Sequence, residues 1–268
     1  MLIFQHAHPV IQALLAGCFT WSITALGSLM VYFFRKPNQF VMDAMLGFAA
    51  GVMIAASVWS LIIPAVEHAQ AQGLLGWPQT AGGFLLGVCF VIVLDKTLCR
   101  NLFERNAQLL PAGARRSFLL ISAVTLHNIP EGMAVGLSFA LACLNPSDPL
   151  ALAAAIALAL GIGIQNFPEG AAISLPLRQQ GFSTRRAFVW GALSGIVEPL
   201  FGVLTVLAVS AVDVLLPWLL AFAAGAMMYV VVAELLPQTT EDQEDPILTT
   251  CATLTGFMLM MILDIALG

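Results

Sequence analysis

Two six-residue stretches, HNIPEG at residues 127–132 and QNFPEG at residues 165–170, decide the fold and the kind of site predicted for this chain. Each lies inside a long apolar run and carries one carboxylate, Glu131 or Glu169. A carboxylate at the centre of a bilayer costs at least about 2.5 kcal/mol even on the most lenient insertion scale. Two acids in near-identical polar hexads therefore indicate a buried site that holds something positively charged.

The chain as a whole is far more apolar than a soluble protein. Of its 268 residues, 60% are hydrophobic and 9% are charged, and the mean hydropathy is +0.93, whereas a soluble domain carries roughly 25% charged residues. Eight apolar stretches are each long enough for a hydrocarbon core, which takes about 20 helical residues. The sequence predicts an all-α integral membrane protein, a bundle of eight transmembrane helices. The predicted spans, numbered 1 to 8, are 9–34, 44–66, 80–98, 117–143, 150–177, 187–210, 214–236 and 247–267.

The basic residues predict the orientation of these helices. All ten lie in three segments, after span 1, between spans 3 and 4, and between spans 5 and 6. Because cytoplasmic loops carry the excess of Lys and Arg, these three loops are expected in the cytoplasm and both termini outside. The segments between the spans are short, so residues 1–268 are expected to form a single transmembrane domain. The basic residues are Arg35, Lys36, Lys96, Arg100, Arg105, Arg115, Arg116, Arg178, Arg185 and Arg186.

Helical spacing groups the polar residues of the hexads into a candidate site. In each hexad the first residue and the glutamate are four positions apart and share a helix face, while the asparagine lies about 100° around. Glu198, at the centre of span 6, is a third acid at similar depth. Like charges at close range cannot all stay ionised unless a cation compensates them. The candidate ligands from these spans are His127, Asn128, Glu131, Gln165, Asn166, Glu169 and Glu198.

One imidazole, three carboxylates and three amide oxygens suit a divalent metal. Histidine favours zinc-like ions, while the oxygens also accept manganese, iron(II) and cadmium. Structural roles stay open beside this one. Asn128 and Asn166 can bond to neighbouring helices, and Glu198 can be a proton carrier or a structural partner. Glu67 and His68 at the outer end of span 2 are candidates for collecting cations.

Small residues and prolines shape the predicted bundle. Glycine pairs four residues apart let helices approach closely in lipid, which predicts tight packing and leaves a dimer face open. The pairs are Gly47 and Gly51, Gly83 and Gly87, Gly132 and Gly136, and Gly191 and Gly195. Prolines at 130, 168 and 199 each remove a backbone donor in mid-span and are expected to bend their helices. Three such bends beside acids predict a polar cavity at the midplane.

The hexads, the Glu-Pro pair of span 6, the eight helices and the external termini resemble the ZIP (Zrt/Irt-like) family of divalent metal transporters, in its compact prokaryotic branch. The resemblance covers essentially the whole chain and implies a single transmembrane transporter domain. Position by position, it assigns ligand roles on helices 4, 5 and 6 to His127, Asn128 and Glu131, to Asn166 and Glu169, and to Glu198, which completes a second site.

The resemblance also implies a ligand on helix 2 and exposes a departure on helix 5. The helix 2 ligand falls at about Met53, whose soft thioether favours cadmium or zinc, although Met is also a common filler of apolar cores. Many family members begin the helix 5 motif with His, where this chain has Gln165. We therefore expect a principal metal position around His127, Glu131 and Glu169, and a weaker one around Asn128, Gln165, Asn166 and Glu198.

The expected function is uptake of a divalent transition metal ion into the cytoplasm by alternating exposure of the midplane site. Zinc is the leading candidate, with cadmium, iron(II) and manganese as further substrates. No Walker A motif appears, so ATP is not expected to drive transport directly. The expected setting is a bacterial inner membrane, crossed several times. We expect no enzymatic activity, no catalytic cofactor and no nucleic-acid partner, while a homodimer would suit the resemblance.

Two alternatives remain at the sequence level. An intramembrane metal-dependent enzyme would also place His and Glu at a midplane cavity, but the HExxH motif of zinc proteases is missing and one His alone lies in the spans. A metal exporter of another fold is the second alternative. Its loss should make cells hypersensitive to excess metal, whereas loss of an importer should cause starvation.

Overall fold

A computed structural model describes residues 7–34, 38–94, 96, 112–144, 149–211, 213–238 and 246–267. Every regular element within these ranges is a helix, which confirms the predicted all-α class. Within the described ranges we group the helices into eight rods, each of them a single helix or a series of helical segments that follow one another along the chain. The first four are α1, Pro9–Ser28 with a 3-10 extension Leu29–Tyr32; α2, Gln39–Ala56, Ser57–Ile62 and Ile63–Ala71; α3, Trp77–Leu94; and α4, Ala112–Leu144. The others are α5, Pro149–Gln179; α6, Thr184–Ser194 and Val197–Ala211; α7, Leu216–Val230, Val231–Leu235 and Leu236–Gln238; and α8, Pro246–Leu267.

Seven helices within the described ranges are long and apolar enough to cross a membrane. They match predicted spans 1, 2, 3, 5, 6, 7 and 8. The rod α4 is continuous over 33 residues but is not one of the seven. The membrane-spanning helices are Pro9–Tyr32, Phe40–Ala71, Trp77–Leu94, Leu150–Gln179, Thr184–Val209, Leu216–Ala233 and Ile247–Ala266.

The rods sort into two groups by their packing. We call α1, α4, α5 and α6 the site bundle, because these rods carry the hexads and Glu198 and pack mainly against one another. We call α2, α3, α7 and α8 the second bundle, in which α8 lies along α2 and α7 along α3. The two bundles meet chiefly where α5 faces α2 and α8, and where α4 faces α7.

Glycines bring backbones together inside each bundle. A Cβ added at Gly170 or Gly27 would strike backbone atoms of Thr24 or Phe167, so α1 and α5 touch main chain to main chain. The predicted packing role of the glycine pairs is confirmed, since each pair faces another helix of its own bundle. The remaining glycines whose added Cβ would meet backbone of another rod within 3.0 Å are Gly17, Gly47, Gly51, Gly83, Gly87, Gly132, Gly136, Gly225 and Gly256, and each of these contacts joins helices of one bundle.

The rod α6 is interrupted beside its acid, in the turn that precedes Pro199, where a proline is expected to disturb a helix. Pro130 and Pro168 lie inside the continuous helices α4 and α5. In α6 the helix ends at Ser194 and restarts at Val197, so Pro199 occupies the first turn of the new segment. A proline is tolerated there because its missing N–H would have no partner in the first turn. The carbonyl of Gly195, at the interruption, accepts from the backbone N–H of Glu198 at 3.0 Å.

Candidate metal site

The two hexads meet inside the site bundle. The side-chain amide nitrogen of Gln165 on α5 donates to Oε1 of Glu131 on α4 at 2.9 Å, and both side chains are fully buried. This contact confirms the prediction that the hexad faces come together in neighbouring helices. It also places Gln165 against an acid that the sequence assigned to the principal metal position.

Glu198 joins the same cluster from α6. The amide nitrogen of Asn166 donates to its Oε2 at 2.8 Å, and Glu198 is fully buried. Glu198 lies close enough to Glu131 and Glu169 for the carboxylates to repel one another. Three acids therefore face one buried region, as the sequence predicted, and a cation there would relieve their repulsion.

Asn128 ties the first hexad to the broken helix. Its amide nitrogen donates to the backbone carbonyl of Ser194 at 3.0 Å, and the side chain is fully buried. Ser194 is the last residue of the first α6 segment, where helix carbonyls have no intrahelical partner. The interruption of α6 thus supplies the acceptor that orients Asn128.

Five buried oxygens around this cluster accept no hydrogen bond from the described part of the chain. All five belong to predicted ligands. In four of them the other polar atom of the side chain makes a hydrogen bond, and the fifth side chain is buried. A buried acceptor left without a donor costs about 1–3 kcal/mol. A cation at this place would satisfy several at once. The atoms are Oδ1 of Asn128, Oε2 of Glu131, Oε1 of Gln165, Oδ1 of Asn166 and Oε2 of Glu169.

The oxygen donors point to a mixed carboxylate and amide site. Among the described side chains, no three of His, Cys, Asp or Glu form a group that could hold a metal ion, and the amide oxygens are the further ligands that the described residues offer. The backbone of His127 lies in α4, whereas its side chain falls outside what the structure describes. Met53 is fully buried in the apolar core on α2. Ligand roles for His127 and Met53 stay predictions.

The sequence analysis missed the contribution of α1. Thr24 donates from its hydroxyl to Oε1 of Glu198 at 3.3 Å, and the amide of Asn166 also lies 3.4 Å from the carbonyl of Thr20. Both threonines are fully buried. Together with Ser28, which donates to the carbonyl of Gly170 at 3.1 Å, they repeat every fourth residue and form one polar stripe. That spacing in an apolar span was the available signal.

A second polar region lies at the C-terminal end of α2. A cavity of about 480 Å³ is lined by Glu67 and His68, the predicted collectors of cations, and by Asp264 of α8. The hydroxyl of Ser60 donates to Oδ1 of Asp264 at 2.6 Å, while Oδ2 is buried and accepts no hydrogen bond within the described residues. Residues of α4 and α5 complete the wall, so the cavity lies between the two bundles.

A helical membrane protein with a buried cluster of acids and amides at the meeting point of three helices has the form of an ion transporter. Residues 104–264 match the family model described as ZIP Zinc transporter. The chain is 39% identical to Zinc transporter ZIP11 of Bos taurus, covering 98% of this chain and 99% of that protein. It is 37% identical to Zinc transporter GufA of Myxococcus xanthus, covering 97% and 98%, and 39% identical to Zinc transporter ZIPB of Bordetella bronchiseptica, covering 96% and 81%.

These matches span nearly the whole chain and include the rods that carry the hexads. The chain belongs to the ZIP zinc transporter family. The resemblance inferred from the hexads is thereby confirmed.

Proposed function

We propose that this protein carries divalent transition metal ions, with zinc as the main substrate, across the membrane into the cytoplasm. The observation that carries the proposal is a set of five buried oxygens that accept no hydrogen bond from the described residues, on or beside the three buried carboxylates Glu131, Glu169 and Glu198. The names of the relatives, which are zinc transporters, favour zinc among the divalent metals. Oxygen ligands also admit cadmium, iron(II) and manganese as substrates.

The proposed ligands belong to two adjoining cation positions. The principal position uses His127, Glu131 and Glu169, with Met53 of α2 as a further ligand from the second bundle. The weaker position uses the amide oxygens of Asn128, Gln165 and Asn166 together with Glu198. The bond between Gln165 and Glu131 supports a shared boundary between the two positions.

We propose eight crossings, with α4 as the eighth, and both termini outside. An even number of crossings agrees with the distribution of basic residues over three loops that share one side. The chain then forms one transmembrane transporter domain in a bacterial inner membrane. A homodimer is part of this proposal, although the glycine pairs are occupied by contacts within the chain and are not its interface.

Alternating exposure of the site is supported by the division into two bundles. Within each bundle, glycines bring backbones into contact, which favours movement of the bundle as a unit. The cavity beside Asp264 opens at the junction of the bundles and is the proposed outer collecting region. No ATP-binding motif is present in the sequence, so the metal gradient or a coupled ion is the proposed energy source.

The test is metal uptake into liposomes that contain the purified protein. Glu169→Gln keeps the size of the side chain but removes the negative charge, so the initial rate of zinc or cadmium uptake should fall at least about tenfold. His127→Ala should have the same effect. Thr205→Val is the matched control, because Thr205 is a buried threonine whose hydroxyl donates to the carbonyl of Phe201 within its own helix. Wild-type rates in Glu169→Gln and His127→Ala would refute the proposed site.

The direction of transport and the absence of enzymatic activity need separate measurements. Cells that lack the gene should grow poorly when zinc is scarce, whereas hypersensitivity to excess metal would indicate an exporter. Hydrolytic activity of the purified protein without ion flux would favour an intramembrane enzyme.

A further inference from the structure

Thr24 of α1 contacts Glu198, the one of the three buried acids that lies outside the hexads. Its hydroxyl oxygen lies 3.3 Å from Oε1 of Glu198 and 3.3 Å from the backbone carbonyl of Thr20. The single hydroxyl proton thus has two acceptors at equal distance. A hydrogen bond to an ionised carboxylate is roughly twice as strong as one between neutral groups. The proton therefore favours Glu198 whenever that acid carries a negative charge.

Glu198 differs from the other two acids in its surroundings. Glu131 and Glu169 each keep one buried oxygen that accepts no hydrogen bond from the described residues. Both oxygens of Glu198 are engaged, Oε1 by Thr24 and Oε2 by Asn166. Each carboxylate oxygen still has a second lone pair for a cation. Glu198 is accordingly oriented before a cation arrives, and half of that orientation comes from α1.

The backbone around Thr24 is fixed by close contacts on both sides. On the α5 side, Gly170 faces the carbonyl of Thr24 so closely that an added Cβ would strike it. On the α6 side, a Cβ added at Gly195 would lie 3.0 Å from the Thr24 hydroxyl and 2.8 Å from Oε1 of Glu198. The backbone of Thr24 is therefore held close to α5 and α6, which keeps its side chain within reach of Glu198.

We propose that Thr24 is a positioning residue that sets the affinity of the cation position at Glu198. This inference rests on the proposed function, because it assumes that Glu198 binds the transported ion. Groups that hydrogen-bond to metal ligands typically contribute 10-fold to 100-fold to metal affinity, on the order of what we expect here. The principal position around Glu131 and Glu169 does not contact Thr24 in the described hydrogen bonds, so its affinity should not depend on the hydroxyl.

The experiment compares valine and serine at position 24 in the full-length protein. Thr24→Val keeps the shape of the side chain and removes the hydroxyl, while Thr24→Ser keeps the hydroxyl. Cadmium is titrated into each purified protein in detergent by calorimetry, and two dissociation constants are fitted. We expect Thr24→Val to raise the dissociation constant of the weaker position, at Glu198, by about 10-fold to 100-fold. We call this the second constant. The first constant, that of the principal position, should stay unchanged. Thr24→Ser should restore the second constant, and the matched control Thr205→Val should change neither.

Three results would overturn this role of Thr24. The first is an unchanged second constant in Thr24→Val. The second is an equal loss at both positions that serine does not restore, which would indicate a purely structural threonine. The third is a wild-type protein with a single cadmium position. If valine prevents folding, Thr24→Ala, which removes the same hydroxyl and adds no atoms, gives the same readout. Wild-type protein that neither binds nor transports metal would refute the proposed function itself.

Discussion

At the residue scale, the nitrogen and the oxygen of each amide side chain in the site have different roles. The nitrogens of Asn128, Gln165 and Asn166 donate to a helix carbonyl or to a carboxylate of a neighbouring rod. Among the described residues, their buried oxygens accept no hydrogen bond. Each amide is thus fixed in direction by its nitrogen, which leaves its oxygen available. In the proposed site, this arrangement would supply oxygen ligands without adding further negative charge.

Transport should weaken in acid because protons and the metal compete for the same carboxylates. Metal ligands must be deprotonated before they bind, so metal binding releases protons. As the pH on the loading side falls, a larger fraction of Glu131, Glu169 and Glu198 is protonated and the KM for zinc should rise. The measurement is the initial rate of zinc uptake into liposomes over a range of zinc concentrations, at each of several external pH values between neutral and mildly acidic. A KM independent of pH would argue against loading on carboxylates.

The hexads were predictable from the sequence, whereas the role of Thr20 and Thr24 was not. Acids and amides in an apolar span stand out because hydrocarbon penalises them strongly. A threonine in a helix can return its hydroxyl to the carbonyl four residues earlier, which makes it inconspicuous in such a span. Thr24 does lie within reach of the Thr20 carbonyl, yet it also faces Glu198. Only the packing of α1 on α6 distinguishes these alternatives.

At the element scale, the interruption of α6 lies where Glu198, Thr24 and Asn128 come close together. The helix stops at Ser194, whose carbonyl receives Asn128, and restarts so that Glu198 lies in its first turn. The sequence predicted a distortion at Pro199 but not a full interruption, because proline is compatible with the start of a helix as well as with a bend. At the break, Gly195 approaches α1 so closely that an added Cβ would lie 3.0 Å from the hydroxyl of Thr24.

Gly195→Ala should disturb the Glu198 position while leaving the fold intact. Its new methyl group would lie 2.8 Å from Oε1 of Glu198 and 3.0 Å from the Thr24 hydroxyl, so the carboxylate must shift. We expect weaker binding of the second cadmium ion by about tenfold, measured by calorimetry as above. Gly202→Ala on the same rod is the milder control, since the nearest atom to its added methyl lies at 3.2 Å. Equal effects of the two variants would contradict this account.

At the scale of the whole molecule, the contacts between rods of one bundle differ from the contacts between the two bundles. Inside each bundle, glycines allow backbone contacts between rods. Between the bundles, Gly161 of α5 faces the flexible end of the Met260 side chain on α8. The glycine spacing predicted close packing, but it could not assign helices to bundles, because the same motif occurs in both.

Alanine should be tolerated at Gly161, between the bundles, and not at Gly170, within the site bundle. Gly170→Ala would strike the backbone of Thr24, and overpacking of this kind costs about 1–3 kcal/mol or more. Gly161→Ala meets only a methionine end that can rotate away, so the loss should stay below about 1 kcal/mol. The thermal midpoint of the purified variants in detergent is the readout. A larger loss in Gly161→Ala than in Gly170→Ala would contradict the division into bundles.

The cavity beside Asp264 has a consequence for inhibition. Its wall includes residues of α2 and α8 on one side and of α4 and α5 on the other, so it belongs to both bundles. A small cationic molecule filling its roughly 480 Å³ would contact Asp264 and Glu67 and join the two bundles to each other. Under the proposed alternating exposure, such a compound should slow transport by linking the two bundles. It would act without reaching Glu131, Glu169 or Glu198, and it would compete with metal ions for Asp264 and Glu67.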